Sequence, residues 1–238
     1  MTGSARLGTG PQRAARGAAV AAHLSDPFDQ ARMALAWAHD TFGPDLVLAS
    51  SMGDEVLVHL ASEVIPEVRV LFIDTGYHFA ETVGTAQSFA ATRPIRLLTV
   101  HPLRTVAEQD AAEGPDLFAR DPDRCCALRK VEPLERGLAP FGAWITGMRR
   151  ADAPTRTDIE VVGWDARREM VKLNPLAGWT DEDVDTYALV NDIALNPLRQ
   201  AGYTSIGCQP CTNLPAPGHD PRSGRWSGQA KTECGLHT

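Results

Sequence analysis

Short apolar strands alternate with helix-like segments along this chain of 238 residues, and this alternation limits the fold more than any other feature. The predicted strands cover residues 46–49, 69–74, 95–100 and 143–146, and the predicted helices between the first three cover 54–65 and 80–91. Strands that alternate with helices form parallel sheets covered by helices. Because the strands are apolar throughout, both faces of the sheet should be buried. We therefore predict an α/β fold with a mostly parallel, twisted sheet flanked by helices.

Polar segments follow three of the predicted strands, at 50–53, 74–78 and 147–150. Ligands of parallel sheets bind beyond the carboxyl ends of the strands. The first segment, Ser-Ser-Met-Gly, precedes a predicted helix and offers hydroxyl and backbone N–H groups, which are the components of an anion site. Taken alone it is weak evidence, since most short Ser/Gly loops after strands bind nothing.

Arginines are concentrated at the same predicted face. Arg149 and Arg150 follow a strand, while Arg222 and Arg225 are three residues apart and suited to holding an anion. Solvated basic loops are the alternative. The net charge of −7 argues against nonspecific nucleic-acid binding. We therefore predict a small polyanionic ligand and no nucleic-acid partner.

Four of the five cysteines form two close pairs, Cys125 with Cys126 and Cys208 with Cys211. Such thiolate sets bind zinc or iron–sulfur clusters. Adjacent helical residues diverge by about 100°, and a [4Fe–4S] cluster accepts divergent ligands more readily than one zinc ion does. The pattern favours the cluster but leaves zinc open. The remaining alternative is four buried, inert thiols.

The fifth cysteine, Cys234, lies near Lys231 and His237, and nearby cations favour the thiolate form. We predict that Cys234 is a nucleophile, the alternative being an exposed thiol on a disordered tail. An odd number of cysteines in close pairs is a poor disulfide framework and indicates a reducing compartment, so we predict the cytoplasm. The chain contains no apolar run long enough to cross a membrane, and no membrane partner is expected.

These residues together resemble the assimilatory adenylyl-sulfate (APS) reductases, the bacterial iron–sulfur type within the PAPS reductase family. The resemblance rests on segments 74–82, 125–130, 147–156, 206–211, 224–226 and 233–237, and it extends over roughly residues 45–238. The loop at 50–53 departs from the Ser-Gly-Gly-x-Asp-Ser pattern of the related ATP pyrophosphatases.

The resemblance implies an adenine nucleotide alpha-hydrolase-like fold and a role in sulfate assimilation and cysteine biosynthesis. It implies that Cys234 attacks the sulfur of APS, releases AMP and carries a Cys–S–SO₃⁻ adduct. Thioredoxin or glutaredoxin would then release sulfite. It further implies a [4Fe–4S] cluster on Cys125, Cys126, Cys208 and Cys211. The substrate-binding residues that we predict are Ser50, Ser51, Gly53, Asp74, Thr75, Gly76, Lys130, Gly147, Arg149, Arg150, Arg222, Arg225 and His237.

We divide the chain into three parts. Residues 1–22, which are rich in Ala, Gly and Arg, are expected to form a flexible tail. Residues 23–200 form the nucleotide-binding α/β reductase domain, in which Thr180 and Asp183 are predicted to cap a helix. Residues 201–238 provide the cluster-binding loop and a mobile C-terminal catalytic tail of the same domain, with few regular elements from Asn196 onward.

Three alternatives remain at this level. A PAPS reductase shares the tail motif, but by resemblance that group lacks the two cysteine pairs. A zinc-bearing thiolation enzyme of the ATP pyrophosphatase type would need the missing loop pattern. A noncatalytic metal-binding module would leave Cys234 and the arginine loops unexplained. The sequence is also compatible with a homo-oligomer.

Overall fold

One mostly parallel sheet is the centre of the structure, a computed structural model that describes residues 8–53, 55–216, 218, 220, 222–228, 231 and 233–236. The strands in these residues are β1 (Leu46–Ser50), β2 (Val68–Ile73), β3 (Ile95–Val100), β4 (Ala143–Ile145), β5 (Val162–Asp165) and β6 (Met170–Leu173). They lie in the order β3-β2-β1-β4-β6-β5, and only the β5–β6 pair is antiparallel. The predicted α/β fold is confirmed.

The four predicted strands correspond to β1–β4, whereas β5 and β6 have no counterpart in the sequence analysis. Each of these two strands has only four residues, and β5 contains Gly163 and Asp165, which are uncommon in strands. Their local signal is therefore weak. The two strands pair with each other locally, and the pairing of Leu173 in β6 with Ile145 in β4 fixes them in the sheet.

Helices cover both faces of the sheet. Those in the described residues are α1 (Gly10–Ala22), α2 (Pro27–Phe42), α3 (Glu55–Val64), α4 (Ala80–Thr92), α5 (Val106–Glu113), α6 (Leu117–Arg120), α7 (Pro122–Cys126), α8 (Glu132–Leu138), α9 (Asp181–Val190) and α10 (Pro197–Gln200). One turn of π-helix, Ala127–Val131, joins α7 to α8. The predicted helices over 54–65 and 80–91 match α3 and α4. No helix in the described residues is long and apolar enough to cross a bilayer.

Side chains of β1 alternate between two apolar clusters, as expected for a strand buried on both faces. Leu46 and Leu48 belong to the larger cluster, which includes residues of α2 and α3. Val47 belongs to the smaller one, which contains Val47, Leu71, Leu134, Leu138, Trp144 and Met170. The sheet is therefore covered on both sides, in agreement with its continuously apolar strands.

The predicted flexible tail over 1–22 is wrong for residues 10–22, because these residues form α1. Gln12 and Thr9 form a capping box at its start, with 2.9 Å between the Thr9 N and the Gln12 Oε1. Ala14, Gly17 and Ala21 are buried on one face, and small residues allow close packing against α2 and β5. The Ala/Gly-rich composition thus reflects helix packing. Residues 1–7 lie outside the described residues.

The predicted caps and the irregular C-terminal segment are confirmed. Thr180 is the N-cap of α9, its Oγ1 accepting a hydrogen bond from the Asp183 N–H at 3.1 Å. Among the described residues after Asn196, the regular elements are α10 and one 3₁₀ turn, Gln209–Cys211. Backbone here follows the surface of the sheet edge where the strands end, which places it over the site described next.

Candidate active site

A cleft of about 650 Å³ opens where the parallel strands end. Its lining includes Ser50 after β1 and Thr146 after β4. Strand β1 is the point at which the sheet order reverses, because β2 lies on one side of it and β4 on the other. Such switch points are where ligands bind in open parallel sheets. The volume lies within the range of small-molecule sites, about 300–1,000 Å³.

Most of the predicted site residues meet in this cleft. Those that line it are Ser50, Ser51, Gly53, Thr75, Lys130, Gly147, Arg149, Arg222, Arg225 and Cys234. They come from three strand ends, the π-helical turn and the C-terminal segment. The fold therefore brings residues more than 180 positions apart in sequence to one surface, as the strand-end argument predicted.

Three other predicted residues are not among those that line the cleft. The Asp74 carboxylate accepts a hydrogen bond from the Gly76 N–H at 2.9 Å, so both residues build the turn after β2. The Arg150 Nε donates to the Ile159 carbonyl at 3.0 Å, which directs this side chain to the protein surface. His237 lies outside the described residues.

The loop at 50–53 is held by a hydrogen bond within the loop and by hydrogen bonds from the segment around α10. The Met52 N–H donates to the Ser50 Oγ at 2.9 Å, and the Asn196 side chain donates to the Met52 carbonyl at 3.3 Å. Arg199 donates to the Gly53 carbonyl at 2.7 Å. Arg199 itself lines the cleft and was absent from the sequence prediction, since nothing local connects it to a loop 146 residues away.

A buried carboxylate begins the helix that follows this loop. Glu55 is fully buried, and burial raises its pKa, while Arg199, with 3.7 Å between its Nε and the Glu55 Oε2, opposes that rise. The Asn196 N–H donates to the other carboxylate oxygen at 2.8 Å. Glu55, Asn196 and Arg199 therefore form one network that fixes the start of α3 at the cleft.

The two cysteine pairs line a second, smaller cavity together. Cys125 and Cys126 are the last residues of α7, Cys208 precedes the 3₁₀ turn, and Cys211 is the last residue of that turn. Burial raises the pKa of Cys125 to about 12, and the neighbouring thiolates add to this rise. Burial likewise raises the pKa of Cys126 and of Cys211. Four close thiols that repel one another as thiolates need a positive partner to ionise together.

In the described residues, no group of three or more His, Cys, Asp or Glu side chains is arranged to hold a single metal ion. The four thiols nevertheless share one cavity. All five cysteines are free of disulfides. The four sulfur atoms therefore surround a common cavity but do not point at a single position within it.

The loop after β2 connects the two cysteine pairs. His78 and Cys208 form an isolated antiparallel bridge, and the Thr75 Oγ1 lies 3.3 Å from the Cys208 Sγ. The buried Arg129 donates to the Thr75 carbonyl and, at 3.1 Å, to the Gln109 side chain. Arg129 also lines the cavity of the cysteines and was not among the predicted site residues. Its position in the sequence, between Cys126 and Lys130, could have indicated that it lies near the cysteines.

Lys130 lies between the two cavities, since it lines both. Burial alone would lower its pKa, but the thiolates of Cys208, Cys234 and Cys126 raise it overall. The Lys130 ammonium and the neighbouring thiolates therefore stabilise each other's charged forms. That Lys130 binds the substrate stays a prediction.

Arg225 is the other cation beside Cys234 that has no ion pair with a described carboxylate. Its guanidinium stacks on the Trp226 ring at 4.6 Å, and burial lowers its pKa. Its Nη1 donates to the Ser205 hydroxyl and the Ile206 carbonyl at 3.4 Å each. A Cβ on Gly207 would lie 2.2 Å from its Nη2, so only glycine leaves room for this side chain.

Acids and arginines alternate along one wall of the cleft. We call this series the charge ladder, and its members in order are Asp181, Arg149, Asp152, Arg156, Glu233 and Arg222. Successive ion pairs measure 2.8–3.2 Å. The ladder neutralises Arg149 and Arg222, which were predicted to bind substrate. Arg156 and Asp152 were not predicted, because only the fold aligns them with Glu233.

The C-terminal segment is folded into the cleft. Cys234 is half-buried there. The Leu236 side chain packs against the smaller apolar cluster, and its carbonyl accepts a hydrogen bond from Arg168 at 3.0 Å. The predicted nucleophile is thus placed beside Lys130 and Arg225, at the carboxyl edge of the sheet.

Comparisons with known proteins agree with this geometry. Residues 45–214 match the family model described as phosphoadenosine phosphosulfate reductase domain. Proteins named adenosine 5′-phosphosulfate reductase from Rhodococcus opacus and Mycolicibacterium smegmatis are 52% and 53% identical. The matches cover 98% and 94% of this chain, and 97% and 93% of the relatives. A crystal structure of phosphoadenylyl-sulfate (PAPS) reductase from Candida auris, a phosphate complex, matches with a TM-score of 0.69 at 26% identity, over 90% of this chain and 99% of that one.

Proposed function

Because this chain belongs to the phosphoadenosine phosphosulfate reductase family, we propose that it reduces APS to sulfite and AMP in sulfate assimilation. It is an oxidoreductase that acts on a sulfur group. The names of the relatives at 52–53% identity support APS over PAPS as the substrate. The presence of both cysteine pairs supports the same choice.

One observation carries the proposal: the fold places Cys234 in a nucleotide-sized cleft together with Lys130 and Arg225. The loop at 50–53 and the start of α3 provide N–H groups for an anion at the end of β1. Gly147 and Thr146 line the opposite side, after β4. A nucleotide bound across this switch point would present its phosphosulfate to the side where Cys234 lies.

The first step is displacement at sulfur. The Cys234 thiolate attacks the sulfur of APS, an S–S bond forms, and the bond between that sulfur and the bridging phosphate oxygen breaks. AMP leaves with the electron pair of that bond. The transferred group is anionic, and Lys130 and Arg225 offset the charge as the two anions approach each other.

The second step is thiol exchange. A thiolate of thioredoxin or glutaredoxin attacks the Cys234 sulfur, and sulfite leaves with the electrons of the S–S bond. The second redoxin thiol then releases Cys234 and leaves the redoxin as a disulfide, so the redoxin supplies both electrons. This step requires Cys234 to reach a partner protein, so the C-terminal segment, in which Cys234 is half-buried, would have to leave the cleft after the first step.

We further infer that Cys125, Cys126, Cys208 and Cys211 hold a [4Fe–4S] cluster. Four thiols around one cavity, three of them buried and Cys211 half-buried, without a single-ion site among the described residues, support a large group. When bound, the cluster supplies positive charge that allows the four thiols to ionise together. Lys130 separates this cavity from the cleft and holds its own positive charge at the substrate side. The free thiols also support the cytoplasm as the location.

Mass spectrometry of the protein incubated with APS alone tests the proposal. The wild type should gain one SO₃ group on Cys234, and added thioredoxin should release it as sulfite. Cys234→Ser should show neither product while retaining the visible absorbance of its cluster, which serves as the folding control. The proposal fails if the wild type is not modified or if another cysteine carries the group. Faster modification by PAPS than by APS would contradict the substrate assignment.

A further inference from the structure

Glu233 immediately precedes the nucleophile and is held by two arginines. The Arg156 Nη2 donates to both carboxylate oxygens of Glu233, at 3.0 and 3.1 Å, and the Arg222 Nη2 donates to one of them at 3.2 Å. The Arg156 side chain is 10% exposed and that of Glu233 is 25% exposed. Hydrogen bonds between charged groups are stronger than those between neutral groups, and these are only partly exposed to water.

Arg156 is itself rigidly held. It ends a 3₁₀ turn, Pro154–Arg156, and its Nη1 donates to Asp152 at 3.1 Å. Asp152 in turn accepts from Arg149, which also pairs with Asp181 at the start of α9. The carboxylate of Glu233 is thus fixed, through the charge ladder, to the framework of the cleft wall.

The same contacts sort the cations of the cleft into two groups. Arg156 and Arg222 are neutralised by Glu233, whereas Lys130 and Arg225 have no ion pair with a described carboxylate. An anionic substrate should therefore be attracted to Lys130 and Arg225. This is also where the next residue, Cys234, enters the cleft.

On the basis of the proposed function, we propose that Glu233 is the positioning residue of the nucleophile. Its clamp between Arg156 and Arg222 fixes the backbone one residue before Cys234 and so sets the approach of the thiolate to the substrate sulfur. Glu233 does not contact the reacting atoms. We therefore expect Glu233 to increase the rate of sulfur transfer without increasing the affinity for APS.

The test compares Glu233→Gln, Arg156→Gln and the double variant. Glu233→Gln should slow the modification of Cys234 at saturating APS by about tenfold, the effect expected for losing one charge-assisted contact. The dissociation constant of APS for Glu233→Gln, measured in the Cys234→Ser background to prevent turnover, should not rise by more than about twofold, since this change removes an acid and no cation from the cleft. The double variant should be about as slow as either single variant, since both changes remove the same contact.

A second readout does not depend on APS. Alkylation of Cys234 by iodoacetamide, followed on its own peptide, should be about tenfold faster in Glu233→Gln because the tail is released. Glu182→Gln removes an exposed acid from the first turn of α9 and serves as the matched control, with no change in either readout. The inference is overturned if Glu233→Gln matches the wild type in alkylation, or if the two single effects multiply. Failure of the proposed function would show separately, as absence of SO₃ transfer in the wild type.

Discussion

A buried lysine, Lys130, and a half-buried one, Lys172, show how neighbours decide the pKa of the same side chain. Burial lowers the pKa of Lys130, but Cys208, Cys234 and Cys126, in their thiolate form, together raise it by more. Lys172, on β6, lies with its Nζ 4.9 Å from the Trp144 ring, and there burial lowers the pKa to about 8. Asp165 opposes this decrease, and Arg168 and Arg156 add to it. Lys130 therefore suits an anion site, whereas Lys172 lowers the free energy of unfolding as long as its side chain is charged.

Replacement of Lys172 by Met tests this cost. Between pH 8 and the ordinary lysine pKa of about 10.5, the unfolded chain holds a proton that the folded protein has lost. The stability of the wild type, relative to Lys172→Met, should therefore rise with pH in this window. At pH 7 the variant should be more stable by about 1 kcal/mol, a value reduced for partial exposure to water. Urea unfolding at pH 7 and pH 9.5 measures the gap, and an equal gap at both values would contradict the explanation.

At the scale of elements, the strand-like pairing after Cys208 links the cysteines to Arg225. The Asn213 N–H donates to the Gly224 carbonyl at 2.8 Å, and the Trp226 N–H donates to the Cys211 carbonyl at 3.1 Å. Thr212 and Arg225 form the isolated bridge between them. A displacement of either backbone segment would therefore move both a cysteine and the cation beside Cys234.

Gly224→Ala is the sharpest test of this element. A Cβ at Gly224 would lie 2.0 Å from the Asn213 carbonyl oxygen, a backbone atom that cannot turn away. We expect a loss of about 2 kcal/mol in unfolding free energy from the resulting displacement, with slower SO₃ transfer.

Gly84→Ala is the matched control, because Gly84 lies within α4 and nothing lies within 4 Å of its added Cβ. This variant should gain about 0.5–1 kcal/mol from helix propensity. Thermal unfolding and the transfer assay distinguish the two variants. Equal stability of Gly224→Ala and the wild type would disprove the close-approach argument.

Over the whole molecule, the features that could be predicted from sequence are those set by short stretches of chain. The apolar run 46–49 and the polar loop at 50–53 are local, and so is the Thr180 cap. Arg156 and Arg199 could not be predicted, because their partners Glu233 and Glu55 lie 77 and 144 positions away in sequence. Strand β6 joins the sheet through β4, which precedes it by about 28 residues, and β5 joins the sheet through β6. Helix α1 forms its contacts with α2 and β5, which composition alone does not reveal.

Removal of the proposed cluster should loosen the segment around Cys208 and Cys211 more than it loosens the sheet. The cysteine pairs come from segments about 80 residues apart, whereas the sheet has its own apolar core. Chelation of iron under anaerobic conditions should therefore speed amide hydrogen exchange over 208–226 by about tenfold or more, with little change in β1 and β4. Cys234→Ser, which leaves the four cysteines intact, should show no such increase. Uniform acceleration throughout the sheet would contradict this division.

The π-helical turn Ala127–Val131 has a consequence for how the connection between α7 and α8 could evolve. A π-turn closes its hydrogen bonds over one residue more than an α-turn does. This extra residue separates the rotational phase of Cys125 and Cys126 from that of Leu134 and Leu138, which are buried against the sheet. The leucines can keep their packing while the cysteines keep their own direction. Insertions or deletions of a single residue within this turn should be selected against, even where point substitutions are accepted.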